Sequence, residues 1–501
     1  MHETSELRRL AGQLIMVRLF GTELDDDTAA FLADNGIRGA CLFRQNMVDA
    51  AQLTRFTGAL RETMGEGALV ALDQEGGAVV RATWVPAPPS AMALGAAGDP
   101  QLAHEVGAAV ARAVRGLGFN WNFAPVLDLN NNPHNPVIAE RSFGADPEAA
   151  TRIALAWMAG SESEGVACCV KHFPGHGDTH VDSHRDLPTV DKPLAELERF
   201  EFAPFRMAAQ GSASAPAMMT AHIVYPALDP DYPATMSHAI LTGILREAWD
   251  YQGVVITDGM DMHAIAHRYG AGQAAVRALV AGADMVMAIG SRATQEETVA
   301  AIAAAIDSGE LPLAGVEQKL ARLAALAAAH PAGARTAAAR DSEAADRALM
   351  ARAWARGLSA RGAVRRPALG SRVRLVARQD VVSDGVSEAG VPAASIAAAL
   401  GQLFDVELVT FGDADSFDWN ALPQDGRFTI LASTSRRRYG AHARANWRPD
   451  LHLALWNPYQ ALDIDAPALM SYGFAPPALE AVNAWLAGRI EAGGRPPVPG
   501  F

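Results

Sequence analysis

"GVACCVKHFPGHGDTHVDSH" (residues 165–184) begins as an unbroken apolar run and ends as a loop crowded with histidine and aspartate. The first part, as far as Phe173, reads as a short strand apolar on both faces, the pattern of a parallel strand covered on each side. Lys171 and His172 interrupt that apolarity only at the far end. His172, His176, His180 and His184 fall four apart, the spacing of one helical face. Pro174, Gly175 and Gly177 argue against a helix, because proline removes a backbone donor and glycine weakens helical backbone. The stretch is therefore a strand followed by an irregular loop, and its histidines need not share a face.

Seven further runs have the same texture, at 14–20, 37–43, 68–73, 119–129, 216–224, 253–259 and 283–290. Ala-, Leu- and Glu-rich stretches of helical length separate them, such as "PQLAHEVGAAVARAVRGLG". Strand and helix alternating in this way predict parallel strands joined by crossovers. Eight such units in about 300 residues suggest an α/β fold of the TIM-like (β/α)8 barrel type, with a doubly wound open sheet as the alternative. The polar residues favour the barrel. Asp73, Asp128, Lys171 with His172, His222 and Asp258 each stand at the end of a run. In a barrel those ends converge on one rim, where active sites lie.

Past residue 310 the texture changes to an Ala/Arg-rich helix, a Pro/Gly break and a second helix. We expect a barrel domain over 1–330, a helical linker over 331–370 and a smaller αβα sandwich over 371–501. The chain has 501 residues and a formal net charge of −14, which argues against a nucleic-acid partner. The N-terminal apolar stretch is short and interrupted by Arg18, and fits neither a signal peptide nor a membrane span. Three cysteines, Cys41, Cys168 and Cys169, offer no disulfide framework or CxxC zinc pattern and point to a cytoplasmic, reducing setting.

Three readings of the histidine loop compete. A metal site lacks an HExxH pattern and would place Lys171 beside the cation, so no metal or cofactor is expected. A solvent-facing loop leaves Lys-His at a strand end without a purpose. Proton transfer uses what is there: Asp182 can orient the imidazole of His184 and raise its basicity, giving a group able to donate and recover a proton near neutral pH. Asp258, in "VVITDGMDM", is the candidate partner, although it could instead cap a following helix, with Asp261 nearby for the same task.

The motifs "ALDQEGG", "ERSFG", "KHFPGHGDTHVDSH", "MMTAHIVYP" and "VVITDGMDM" resemble glycoside hydrolase family 3 in its β-N-acetylglucosaminidase branch, in the family's order over residues 70 to 262. The end of the chain, "SYGFAPPALEAVNAWLAGRIEAGGRPPVP", resembles the family's second domain. The resemblance implies a barrel joined to an αβα sandwich and retention of configuration through a covalent glycosyl-enzyme. It makes Asp258 the nucleophile and His184, paired with Asp182, the general acid/base. It further implies that Asp73, Arg81, Arg141, Lys171 and His172 hold sugar hydroxyls, with His222 lining the same pocket. Ala78 stands where many relatives carry arginine, and Gly259 where many carry a second acid. The expected function is release of terminal N-acetylglucosamine from a carbohydrate substrate such as a muropeptide or chitin fragment. A phosphorylase giving a sugar 1-phosphate, a sugar-binding protein without turnover and a β-glucosidase are the alternatives.

Overall fold

The computed structural model describes residues 4–180, 187–211, 214–262, 265, 268–333, 342–383, 386–387 and 390–501. Asp182 and His184 therefore lie outside the described residues. Among the described residues, eight parallel strands close into a barrel: β1 (Ile15–Arg18), β2 (Gly39–Cys41), β3 (Leu69–Leu72), β4 (Trp121–Asn122), β5 (Ala167–Phe173), β6 (Ala217–Thr220), β7 (Val254–Gly259) and β8 (Met285–Ala288). β8 pairs with β1 through Val286 and Ile15, which closes the ring. Each strand falls within one of the eight apolar runs, and the open-sheet alternative is excluded by that closure. β3, β5, β6 and β8 are buried along their whole length, as expected where helices cover the outside and side chains fill the inside.

The crossover helices start where the chain supplies acceptors for orphan amides. Asp99 accepts from Leu102 N at the head of Pro100–Gly116, and Asp146 from Ala149 N at the head of Pro147–Ser163. Both helices also place proline in the first turn, where no donor is lost. Caps at these positions fix where each helix leaves the strand's loop, and hence how long a rim loop can be.

The second sheet has the order β9 (Ser359–Arg361), β14 (Ala468–Met470), β13 (Leu451–Ala454), β12 (Phe428–Ser433), β10 (Arg372–Arg378) and β11 (Asp405–Phe411). All its pairings are parallel except that of the edge strand β9. Ile396 and Leu400 with Val482 and Trp485 cover one face. Ala443 and Trp447 cover the other, giving three αβα layers. β9 lies inside 331–370, the stretch expected as linker, so the sheet starts earlier than residue 371. Its alternation is only three residues long, too short to register as a strand before its partner is known. Met92 and Ala93 of the barrel helix Ala91–Ala97 belong to the second sheet's core, so the two domains share apolar surface. Among the described residues no helix is long and apolar enough to cross a membrane.

Candidate active site

The strand ends surround a cavity of about 630 Å³ at the C-terminal rim of the barrel. Asp73, Arg81, Arg141, Lys171, His172 and Asp258 all line it, as the sequence expected. They come from β5, β7 and the segments just beyond β3 and β4, residues far apart in the chain that barrel closure brings together.

One wall is an ion cage. Lys171 Nζ donates to Asp73 Oδ1 at 2.7 Å and lies 2.6 Å from Glu75 Oε1. Arg141 grips Glu75 with two parallel bonds of 2.9 and 2.8 Å, and Arg81 reaches Asp73 Oδ2 at 3.2 Å. Side chains of Lys171, Arg141 and Glu75 are only 3%, 4% and 6% exposed, so these charges are stable there only as a set. Burial works to raise the carboxyls of Asp73 and Glu75, but Lys171 with Arg81 and Arg141 outweighs it and holds both below the usual carboxylate range. Both are thus anionic at neutral pH, with lone pairs left over for hydroxyls, while Lys171 and the arginines retain N–H groups for oxygen acceptors.

A second group orients the imidazoles. Asp128, fully buried, sits with Oδ2 at 2.6 Å from His172 Nδ1 and accepts from His176 N at 2.6 Å. An ionised carboxylate can only accept, so Nδ1 of His172 carries the proton. Nε2 is left toward Arg141, 3.5 Å away. Burial lowers His176 to about 4 against the opposing pull of Asp128, so its ring is neutral at working pH. Thr179 Oγ1 lies 2.9 Å from its Nδ1.

The chain beyond β5 is irregular from Pro174 to His180, as Pro174 and the glycines require. Its base is pinned. Asn135 Nδ2 donates to the carbonyls of His176 and Gly177, and Asn132 Nδ2 to that of Thr179. Lys192 ties Asp178 to Glu201 at 2.7 and 2.6 Å. Gly177 passes so close to the Leu129 carbonyl that a Cβ would lie 1.8 Å from its oxygen. Gly177→Ala must push this loop away from the rim, and we expect kcat to fall about tenfold or more, since small misplacements of reacting groups are costly. Steady-state kinetics beside a melting curve check it; unchanged kcat would show that the loop base does not govern the chemistry. The Asp182–His184 pair expected further along falls outside the described residues. Among the described residues no group of three or more His, Cys, Asp or Glu is arranged to hold a metal.

On the facing wall Asp258 lines the cavity from β7 and accepts from Gly259 N at 2.7 Å, alongside Asp261 and Met262. His222 is placed differently from its expectation. It is not among the residues that line the cavity; its Nε2 donates to the Gly259 carbonyl at 2.9 Å and its Nδ1 lies 2.9 Å from Thr235 Oγ1. It is buried and holds the peptide next to Asp258. Glu75, Arg18 and Val386 are among the lining residues that escaped the sequence reading. Glu75 could have been found, since residues two apart on extended chain share a face with Asp73. Arg18 was noticed only as an interruption of an apolar stretch. Val386 comes from the second domain, and its carbonyl accepts from Arg81 Nη1 at 3.2 Å. Arg436 secures that contact by pairing with Glu140 at 2.9 Å and bonding Ser387 Oγ.

Residues 6–326 match the model of the glycosyl hydrolase family 3 N-terminal domain. The chain belongs to glycosyl hydrolase family 3. The family 3 chain is 37% identical over 333 residues to a protein named β-hexosaminidase A from Pseudoalteromonas piscicida, a match covering 61% of this chain and 55% of that one. It thus spans about half the length of that relative. A β-hexosaminidase of Alkalilimnicola ehrlichii is 37% identical over 281 residues, 54% of this chain and 79% of its own. The solved family 3 β-N-acetylglucosaminidase from Paenibacillus sp. str. FPU-7 superposes with a TM-score of 0.88 at 30% identity, covering 98% of each chain.

Proposed function

We propose that this chain is a retaining β-N-acetylhexosaminidase that releases terminal N-acetylglucosamine from glycosides such as muropeptides or chito-oligosaccharides. The observation that carries the reading is the pairing of Asp258 with the Asp73–Lys171–Glu75–Arg141 cage in one cavity. The cage has acceptors and donors in fixed positions for a ring of hydroxyls, and Asp258 presents a carboxylate to the same cavity from the end of β7. The names of the similar proteins supply the sugar class.

In the proposed reaction an Asp258 oxygen attacks C1 of the bound sugar. The C1–oxygen bond to the leaving group breaks, and that oxygen takes a proton from His184, held by Asp182. Water then attacks C1 and gives its proton to His184. The bond to Asp258 breaks, and its carboxylate is restored with net retention. Asp128 fixes the His172 ring, and neutral His176 adds no charge beside the developing oxocarbenium ion. We also assign the enzyme to the cytoplasm, supported by its three free, buried cysteines.

The test is hydrolysis of N-acetylglucosaminides by the His184→Ala variant. Nitrophenyl glycosides leave readily without a proton, whereas alkyl glycosides do not. We expect the alkyl substrate to lose about 10²-fold more activity than the nitrophenyl one, the usual contribution of a general acid. Equal losses would remove His184 from that role. Tight binding of the nitrophenyl glycoside by the wild type without any turnover would instead favour a sugar-binding protein.

A further inference from the structure

Arg18 stands apart from the other cations of the cavity. Lys171, Arg141 and Arg81 each face a carboxylate at 3.2 Å or less. Arg18, at the end of β1, has no acidic partner among the described residues. Its side chain's hydrogen bond runs from Nη2 to Gln45 Oε1 at 3.0 Å, and its Nε is buried without a partner. The guanidinium is flanked by the rings of Phe20 and Phe43, 5.5 and 5.4 Å from their centroids. Phe43 also carries Arg81 at 5.9 Å, so two guanidinium groups share one ring at this corner. A guanidinium can only donate, so the Gln45 oxygen must face it and the Gln45 amide N–H groups point elsewhere as donors. Aromatic packing holds Arg18 in place while leaving its charge unneutralised, and such a charge in a cleft draws in an anion. β1 adjoins β8, which adjoins β7, so this corner lies two strands from Asp258.

We propose that Arg18 and Gln45 form an oxyanion-binding subsite in the cavity that holds Asp258, receiving a phosphate or carboxylate group next to the bound sugar. The proposal deepens the glycosidase reading and rests on it for the reaction, though not for the binding. Two sources share the chemistry. Inorganic phosphate can act as acceptor: an unprotonated oxygen of hydrogen phosphate attacks C1 of the glycosyl-enzyme and the C1–Oδ bond to Asp258 breaks. The bonding pair returns to the Asp258 carboxylate, and the sugar 1-phosphate keeps phosphate's single proton. Alternatively, the anion is a carboxylate carried by the glycoside itself.

Calorimetric titration with inorganic phosphate needs no turnover, so it reads the subsite even if the glycosidase reading fails. We expect Arg18→Gln to weaken phosphate binding about tenfold or more, with Gln45→Leu, a change at an exposed side chain, weakening it in the same direction. Arg347→Gln, at a surface ion pair with Glu343, serves as control and keeps the wild-type affinity. A second arm compares two aryl N-acetylglucosaminides that differ only by a ring carboxylate or carboxamide. A third arm analyses products with and without phosphate. Phosphate binding with sugar 1-phosphate formation supports the acceptor source. A carboxylate preference in kcat/KM that is lost in Arg18→Gln supports the substrate source. The proposal is overturned if phosphate affinity and carboxylate preference are the same in wild type, Arg18→Gln and Gln45→Leu, absence of both included.

Discussion

Asp258→Ala is expected to abolish turnover while leaving the fold intact. Asp73 and Glu75 are committed to Lys171, Arg81 and Arg141, and Asp128 to His172, whereas Asp258 and Asp261 line the cavity outside that cage, and of the two Asp258 is the one that stands at the end of β7. Loss of a covalent nucleophile lowers kcat by roughly 10⁴-fold or more. The side chain is a short one at a strand end on the cavity wall, so its truncation removes little packing, and the melting temperature should shift little. A second signature separates a lost nucleophile from general damage. The space left by the carboxylate admits azide, which should restore turnover of a nitrophenyl glycoside and yield a glycosyl azide with inverted configuration. Turnover near wild type in Asp258→Ala would refute the assignment.

Glu75→Ala should be the most destabilising change at the rim. It leaves the Arg141 guanidinium buried without the carboxylate it grips through two bonds, and removing one partner of a buried pair costs about 3–5 kcal/mol. Sugar binding should fail along with stability, since Lys171 loses one of its two anchors. Glu75→Gln, which keeps the shape and can still accept one bond, should be milder. The same pair predicts the acid response. Burial raises the Asp73 and Glu75 carboxyls, the neighbouring cations lower them further, and the net direction is downward. A carboxyl depressed on folding stabilises fully above its unfolded value, about 4.3, and loses that contribution as pH falls through the folded value. The wild type should therefore lose melting temperature on acidification below about pH 4.3 more steeply than Glu75→Gln. Parallel curves would mean that the cage does not couple to protonation.

Much of this was legible along the chain. The eight apolar runs are local patterns, and each became a barrel strand because apolarity on both faces suits only a strand covered twice. Pro174, Gly175 and Gly177 excluded a helix over the histidines by backbone chemistry alone, which also broke the apparent four-residue periodicity. Polar residues at strand ends marked the rim, because barrel closure carries all such ends to the same place.

What remained hidden depends on contacts between distant segments. Position 75 lies 66 residues from Arg141 and was passed over for the neighbouring Asp73, though both share a face. The imidazole of His222 looked like a lining group until the Gly259 carbonyl, 37 residues away, proved to be its partner. Val386 reaches the cavity only because the second domain is latched to the barrel through Arg436 and Glu140, 296 residues apart. The sequence by itself determined the elements, since hydrophobic period and backbone stereochemistry act over a few residues. Tertiary structure alone decided which charges neutralise one another and which guanidinium was left over, because electrostatic pairing depends on distance through space and not along the chain.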